Sequence, residues 1–248
     1  MTLSRTASCP ELKGTEHRVQ DITQGFHLLP PWRGADALIH CASSGKGGPD
    51  AYRAIYLEGL LNCIAAAQPR RTLFVSSTSV YGQTDGSWVD ESSPTEPDRE
   101  TSQILLEAER VCLASGGLVA RLSGLYGPGR SVLMRKYLAG EANIEGGEGR
   151  YLNQIHRDDA AGALFHLFAT HQRPGIYNVS DNTPATQREL YQWLADYFHQ
   201  PLPPEGEPDL NRKRAWTNKR VSNAKLRATG WAPNFPDYRS ALPALSSP

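Results

Sequence analysis

The segment that most constrains the fold of this chain is a short apolar run that ends in consecutive hydroxyl residues. Leu73, Phe74 and Val75 are apolar and bounded by polar residues, and Ser-Ser-Thr-Ser follows directly over residues 76–79. A short, bounded run of this kind is typical of a buried parallel strand. In an open α/β sheet, ligands bind at the carboxyl ends of the strands, so we expect these hydroxyls to face a crevice. The alternative is an ordinary polar turn after a strand.

Strand-like and helix-like segments alternate along the rest of the chain. Strands are predicted over the short extended segments 2–5 and 17–21 and over the more apolar runs 35–42, 73–75, 118–122 and 175–180. Amphipathic patterns predict helices over 50–67, 102–115 and 186–197. Alternation at this spacing predicts right-handed βαβ units around a parallel sheet, which is the α/β class.

Composition excludes several other classes of protein. The chain has 248 residues, with 26 Lys and Arg against 26 Asp and Glu, so no net charge directs it to nucleic acid or to an anionic membrane. The locally basic segment 211–214 is not taken as a nucleic-acid site for the same reason. No apolar run approaches the roughly 20 residues of a membrane span. No C-x-x-C pair occurs among Cys9, Cys41, Cys63 and Cys112, so we expect no metal site, no disulfide framework and a cytoplasmic location.

The string Ser-Ser-Thr-Ser-Val-Tyr-Gly over residues 76–82 resembles a signature of the extended short-chain dehydrogenase/reductase superfamily. Similar segments follow in that superfamily's order: Arg-x-x-x-x-Tyr-Gly-Pro over 121–128, His-Arg-Asp-Asp-Ala over 156–160, Tyr-Asn-Val over 177–179, and a closing helix with a Gly-Trp-x-Pro tail over 219–233. Within the superfamily, the chain resembles the atypical, YeeZ-like group of sugar-nucleotide-epimerase-like proteins.

The resemblance implies a Rossmann-like, doubly wound parallel sheet with a smaller C-terminal lobe. Residues 1–129 and 154–181 would form the dinucleotide-binding domain, and residues 130–153 and 182–248 the substrate-facing lobe. The implied function is that of an NAD(P)-dependent epimerase, dehydratase or oxidoreductase that acts on a sugar nucleotide or a related small molecule, as a monomer or homodimer. Two alternatives stay open: a non-catalytic NAD(P)-binding or redox-sensing module, and an N-terminally truncated, inactive form.

The resemblance also assigns roles to individual residues. In this superfamily a Ser or Thr four positions before the signature Tyr helps to polarise the substrate oxygen, and Ser77 occupies that position. The implied cofactor contacts are Arg5, Ala42, Ser43, Ser76 and Ser123, and the implied substrate contacts are Tyr81, Arg130 and His156. An arginine after the second strand can meet the 2′-phosphate of NADP, so Arg5 favours NADP over NAD. As alternatives to these ligand contacts, Arg5 and Arg130 would be solvated charges in loops, and His156 would be hydrogen-bonded to a carbonyl group of the protein.

One departure from the superfamily lies at the N-terminus. A dinucleotide fold places a G-x-G-x-x-G turn between its first strand and first helix, where the pyrophosphate binds. No such string precedes the first predicted helix. We therefore expect a chain that begins about 30 residues late and lacks the first strand and the glycine turn. Either the assigned start is late, or the protein is a natural variant whose sheet closes over the gap.

A second departure concerns proton transfer. The superfamily pairs Tyr with Lys four residues later, and the lysine lowers the pKa of the phenol. None of the ten tyrosines has this partner. Alignment of the helix places Arg99 and Gln103 at the two positions, and neither side chain gains or loses a proton near neutrality. Catalytic activity is therefore an open question at the level of sequence.

Overall fold

A computed structural model describes residues 1–5, 14–29, 32–45, 47–147, 149–210 and 216–245. Cys9 and the basic segment 211–214 lie outside the described residues. The chain divides into two compact units. The first consists of Met1–Ser76, Glu100–Val119 and Arg173–Gly175, and the second of Ser77–Arg99, Ala120–Gln172 and Ile176–Pro248.

The described residues alternate between strands and helices. The strands are β1 (Thr2–Ser4), β2 (His17–Val19), β3 (Leu38–His40), β4 (Thr72–Ser77), β5 (Trp88–Val89), β6 (Leu118–Leu122), β7 (Gly124–Tyr126), β8 (Ile144–Glu145), β9 (Tyr151–Leu152), β10 (Gln154–His156), β11 (Gly175–Val179), β12 (Ala185–Thr186), β13 (Glu205–Gly206) and β14 (Arg220–Val221). The α-helices are α1 (Pro49–Tyr52), α2 (Gly59–Ala67), α3 (Glu100–Ala114), α4 (Val132–Leu138), α5 (Arg157–Ala169), α6 (Gln187–Phe198), α7 (Ala224–Arg227) and α8 (Leu242–Leu245). Within these ranges, no helix has the length and apolar character that a bilayer span requires.

The central sheet has four strands in the order β11-β6-β4-β3. Strands β3 and β4 run parallel, with Leu38 opposite Thr72 and His40 opposite Phe74. Every residue of β6 is buried, and Leu73 and Phe74 of β4 are fully enclosed. Continuous burial of this kind is what a parallel sheet covered on both faces requires. The predicted α/β class with a Rossmann-like parallel sheet is confirmed.

The first two strands form a ladder of their own. β1 and β2 are parallel, with Thr2 opposite His17 and Ser4 opposite Val19. The Thr2 hydroxyl lies 2.9 Å from Nδ1 of His17. Among the strands that the structure describes, β1 is not paired with β3. The predicted absence of a preceding strand and glycine turn stays a prediction.

The predicted helices are present, and the start of α6 has an identifiable cause. The helix predicted over 50–67 consists of α1, a π-helical segment Arg53–Glu58, and α2. Helix α6 begins with a capping box, in which the Thr186 hydroxyl accepts from the Glu189 amide at 3.2 Å and the Glu189 carboxylate accepts from the Thr186 amide at 2.7 Å. Such reciprocal caps satisfy amide groups that a helix start otherwise leaves unpaired.

The second unit has its own apolar core. Helices α4, α6 and α8 pack around a group of tyrosines, which are Tyr126, Tyr137, Tyr191 and Tyr238. The apolar face of α6 contributes Leu190 and Leu194. The sequence-based division into two lobes, at 129/130, 153/154 and 181/182, stays a prediction.

The prediction of a closing helix from residue 219 is wrong at its beginning. Residues Arg220–Val221 form β14, parallel to β5, and α7 begins only at Ala224. Partners hold this segment extended: the Arg220 Nε donates to the Gly86 carbonyl at 2.8 Å, and the Val221 amide donates to Asn153 Oδ1 at 2.7 Å. These long-range hydrogen bonds override the local helical pattern.

Candidate active site

A 3₁₀ turn at the end of β4 presents Ser77. The turn spans Thr78–Val80, and the Ser77 hydroxyl caps it by accepting from the Ser79 amide at 3.2 Å. Because this bond uses the oxygen, the hydroxyl hydrogen can still be donated. Ser77 is partly buried, whereas Thr78 and Val80 are buried. The residue that the family signature assigns to the substrate oxygen therefore keeps an accessible donor.

Tyr81 lies inside the protein and both sides of its phenol are occupied. Its hydroxyl donates to Asn178 Oδ1 at 2.9 Å and accepts from Arg121 Nη1 at 2.9 Å. The Arg121 guanidinium also lies 4.9 Å from the centre of the tyrosine ring. Burial raises the pKa of Tyr81, although Arg121 opposes the shift, so the phenol is protonated at neutral pH. Its predicted contact with substrate stays a prediction.

The same network joins three of the motifs that carry the family resemblance. Tyr81 lies in the segment 76–82, Arg121 in the segment 121–128 and Asn178 in the segment 177–179. The Asn178 side chain also donates to the Ser222 carbonyl at 3.1 Å, and the main-chain N–H of Asn178 donates to Glu91 Oε1 at 2.7 Å. Sequence reasoning did not assign a role to Arg121 or Asn178. Their positions inside the matched motifs were the available signal.

Gly82 ends the signature for a steric reason. A Cβ at this position would lie 2.7 Å from the Glu96 carbonyl oxygen and 3.4 Å from its carbon. Real Cβ atoms do not approach a carbonyl oxygen so closely, and the atom met here is backbone rather than a movable side chain. Glycine is therefore required by the close passage of two segments.

Ser123 has the property expected of a cofactor contact in the second unit. It follows β6, is 5% exposed, and its amide donates to the Val179 carbonyl at 3.0 Å. Its hydroxyl has no hydrogen-bond partner among the residues described. A buried hydroxyl without a partner is unfavourable, and a polar ligand would satisfy it. The site thus fits a nucleotide cofactor at this residue.

The remaining predicted cofactor contacts lie in the first unit. The Ser76 hydroxyl donates to Glu109 Oε1 at 2.5 Å, so only the acceptor lone pairs of its oxygen are left for a ligand. After β3, Ala42 is partly buried, and the exposed Ser43 accepts from the Gly45 amide at 3.3 Å. The next hydroxyl, that of Ser44, is buried with no partner in the described part of the chain, a feature that sequence reasoning missed.

Arg5 and Arg130 are both exposed. Arg5 follows β1, and its charge adds a small contribution to the lowered pKa of Asp21, after the hydrogen bonds from Thr23. The Arg130 amide closes a turn by donating to the Gly127 carbonyl at 2.9 Å. Exposure leaves both guanidinium groups accessible to a phosphate, and both assignments stay predictions.

His156 begins helix α5. It is 1% exposed, and its Nδ1 accepts from the Asp158 amide at 3.3 Å. Its ring packs against Phe235, with 4.1 Å between ring centres. A neutral ring that accepts through Nδ1 carries its hydrogen on Nε2, and Nε2 has no partner among the described residues. The ring is therefore a helix cap with one unused donor.

The residues that the alignment places at the family's Tyr–Lys positions are Arg99 and Gln103. Arg99 Nη2 donates to the Leu210 carbonyl at 3.0 Å, and Gln103 is an exposed residue of α3. Neither group transfers protons near neutral pH. In the residues that the structure covers, no group of three side chains suited to a metal ion occurs.

Lys219 is a buried amine that sequence reasoning did not single out. It is 4% exposed, and its Nζ donates to the Tyr81 carbonyl and to the Thr217 hydroxyl, both at 2.9 Å. Burial lowers the pKa of Lys219 to about 7, and the positive charge of Arg150 adds to this shift. The only sequence signal for Lys219 was its position in the segment 219–233, which resembles the C-terminal segment of the family.

A parallel sheet, with a serine-capped turn at the carboxyl end of β4, defines the class of this protein as Rossmann-like α/β. No family model matches the chain. It is 30% identical over 165 residues to Protein YeeZ of Escherichia coli (strain K12), and the match covers 65% of this chain and 58% of YeeZ. The chain therefore spans less than two thirds of that relative.

Two solved structures extend the comparison. The first is a proposed NAD-dependent epimerase/dehydratase of Methylobacillus flagellatus, with 31% identity, a TM-score of 0.75, and coverage of 98% of this chain and 87% of that one. The second, MoeE5 in complex with UDP-glucose and NAD, shares the fold at 19% identity, with a TM-score of 0.80 and coverage of 98% and 87%. The chain belongs to the NAD-dependent epimerase/dehydratase family of the short-chain dehydrogenase/reductase superfamily.

Proposed function

We propose that this protein is an NAD(P)-dependent enzyme that acts on a sugar nucleotide, as an epimerase, dehydratase or oxidoreductase. The observation that carries the proposal is the Ser77 hydroxyl, which caps the turn after β4 and keeps its hydrogen free to donate. Family membership supports the cofactor class. The complex of MoeE5 with UDP-glucose and NAD supports a sugar nucleotide as the substrate class.

Ser77 is the proposed catalytic residue. Its hydroxyl would donate to the substrate oxygen at which charge develops, and a fixed donor at that point lowers the barrier without reorganisation. The cap on the Ser79 amide holds the Ser77 oxygen in place. The network around Tyr81 anchors the other end of the turn. We assign Tyr81 to the support of this turn and retain a direct substrate contact as a secondary role.

The proposed cofactor contacts are Arg5, Ala42, Ser43 and Ser76 in the first unit and Ser123 in the second. The unpartnered Ser123 hydroxyl supports this assignment. Bound NAD(P) supplies a hydride acceptor or donor. Arg5 favours NADP, because a guanidinium suits a 2′-phosphate.

For the substrate, we propose Arg130 as a phosphate contact and His156 Nε2 as a hydrogen-bond donor. The exposure of Arg130 and the unused Nε2 donor support these roles. We further propose a cytoplasmic monomer or homodimer, with residues 130–153 and 182–248 setting substrate preference. The scattered cysteines support a reducing compartment.

Calorimetric titration of NAD⁺, NADH, NADP⁺ and NADPH tests the cofactor class. We expect micromolar binding of at least one nucleotide, weakened about tenfold in Ser123→Ala, since one hydrogen bond is lost. Ser92→Ala, an exposed loop serine, serves as the control. No binding by the folded protein would reject the cofactor assignment.

Conversion of UDP-glucose and related sugar nucleotides, followed by NMR in the presence of the bound nucleotide, tests the reaction. We expect Ser77→Ala to reduce kcat by about 100-fold with little change in nucleotide affinity, which is typical for loss of one donor to a developing charge. Equal turnover by Ser77→Ala and Ser92→Ala would remove Ser77 from the mechanism.

A further inference from the structure

Lys219 is buried without an acidic partner. Its two hydrogen bonds go to a main-chain carbonyl and a threonine hydroxyl. In the described part of the chain, no carboxylate forms an ion pair with it. Burial of an unpaired amine costs free energy, and an apolar side chain of similar length would avoid that cost. A residue retained at such a cost is a candidate for a role beyond stability.

We propose that Lys219 is a positioning residue for the active-site turn: its Nζ holds the Tyr81 carbonyl and thereby fixes the position of Ser77. The proposal rests on the function proposed above for the role of Ser77. Lys219 itself is given no contact with substrate.

The geometry of the turn explains why one donor at this carbonyl matters. Within the turn, the Tyr81 amide donates to the Thr78 carbonyl at 3.3 Å, which is long for such a bond. Asn178 and Arg121 fix the Tyr81 side chain but do not contact its main chain through the bonds described. The Lys219 bond, at 2.9 Å, holds the main chain where the turn ends.

The segment that carries Lys219 is itself fixed, so the lysine can act as an anchor. Asn153 Nδ2 donates to the Lys219 carbonyl at 2.9 Å. The Asn218 amide donates to the Gln83 carbonyl at 3.0 Å, and the Gly86 amide donates to the Asn218 carbonyl at 2.9 Å. These bonds place the lysine backbone against the chain that follows Tyr81, and movement of the lysine is restricted on both sides.

Hydrogen exchange of the Ser79 and Tyr81 amides, measured by NMR on the full chain without ligand, tests the anchor directly. In Lys219→Met we expect both amides to exchange at least tenfold faster, while circular dichroism shows an intact fold. Lys225→Met is the matched control, because Lys225 also donates to a main-chain carbonyl, that of Ile176, at 2.7 Å, but away from the turn. Unchanged exchange at Ser79 and Tyr81 in folded Lys219→Met would overturn the proposal.

Thr217→Val provides a second variant that keeps the lysine and removes the hydroxyl holding its Nζ. We expect a smaller acceleration at the same two amides, and no acceleration here would also count against the anchor. In the active enzyme, Lys219→Met should lower kcat about tenfold and leave the KM for the nucleotide unchanged. If the amides exchange faster in Lys219→Met but Ser77→Ala keeps full turnover, the anchoring role of Lys219 stands and the catalytic role of Ser77 is rejected. The experiments therefore test the two hypotheses separately.

Discussion

At the scale of single residues, much of the family signature serves the fold. Ser76 binds Glu109, Tyr81 is enclosed by Asn178 and Arg121, and Gly82 allows two segments to pass closely. Ser77 differs, because the residue is only partly buried and its hydroxyl keeps a donor. The signature over residues 76–82 thus contains one candidate catalytic residue, Ser77, and several residues that stabilise the fold around it.

Lys219 predicts a pH dependence of stability. Its pKa is about 7 in the folded chain, against 10.5 when unfolded, so the unfolded state binds more protons between these values. The penalty for the buried charge is therefore complete below pH 7 and is relieved as the pH rises to 10.5. We expect Lys219→Met to be more stable than the wild type at pH 6, by about 5 kcal/mol at most, with the difference shrinking towards pH 10.

Urea unfolding of both proteins from pH 6 to pH 10 measures this difference, and other titrating groups cancel in the comparison. A difference that is constant with pH would show that Lys219 does not titrate in this range. The charge that acts on Lys219 is that of Arg150, which opposes the ammonium. The Glu145 carboxylate lies 3.5 Å from Arg150 Nε.

Gly82→Ala should destabilise the chain by about 1 to 3 kcal/mol, because the added methyl group forces the Glu96 backbone to move. Gly162→Ala is the control, since Gly162 lies in α5 with no atom within 4 Å of an added Cβ. There the change should stabilise by about 0.5 to 1 kcal/mol through helix propensity. Thermal unfolding measures both, and equal effects would contradict the steric account of Gly82.

At the scale of elements, the boundaries follow from capping and from long-range bonds. Helix α6 begins at a capping box formed by Thr186 and Glu189, close to the start predicted from its amphipathic pattern over 186–197. Helix α7 begins later than the sequence indicates, because Val221 is held in β14 against β5. Local signals located the first correctly, whereas the second depended on residues about 130 positions away.

Helix α3 offers a test of the missing proton-transfer pair. The double variant Arg99→Tyr/Gln103→Lys restores the family spacing at the start of α3, four residues apart. A positioned acid–base pair contributes about 100-fold or more to rate, so we expect a gain of that order in nucleotide-dependent turnover. Steady-state kinetics on each single variant and on the double variant measure the gain. A double variant no faster than the wild type would show that these positions do not correspond to the family pair.

At the scale of the whole molecule, distant parts of the chain are joined by buried polar groups. Within the second unit, Asp159 at the start of α5 accepts three hydrogen bonds, from the amide and side chain of Asn234 and from the Phe235 amide, at 2.8 to 2.9 Å. Asp159 is 1% exposed. It ties the segment that follows α7 to the start of α5.

Asp159→Ala should therefore cost about 3 to 5 kcal/mol, because it leaves buried amides without acceptors. Asp158→Ala is the matched control in the same helical turn, since the Asp158 side chain is 68% exposed. Its cost should stay below about 1 kcal/mol. Denaturant unfolding distinguishes the two, and similar costs would mean that the Asp159 contacts contribute little.

The sequence by itself determined the α/β class, the alternation of the main strands and helices, and the family. These depend on local periodicity and short motifs, and the strand over 118–122 was predicted at its observed bounds. Only the tertiary structure decided which motif residues are buried supports, that Ser123 lacks a partner, and that Lys219 contacts the Tyr81 carbonyl. The physical reason is separation along the chain: Lys219 and Tyr81 are 138 positions apart, and no local pattern encodes a contact at that distance.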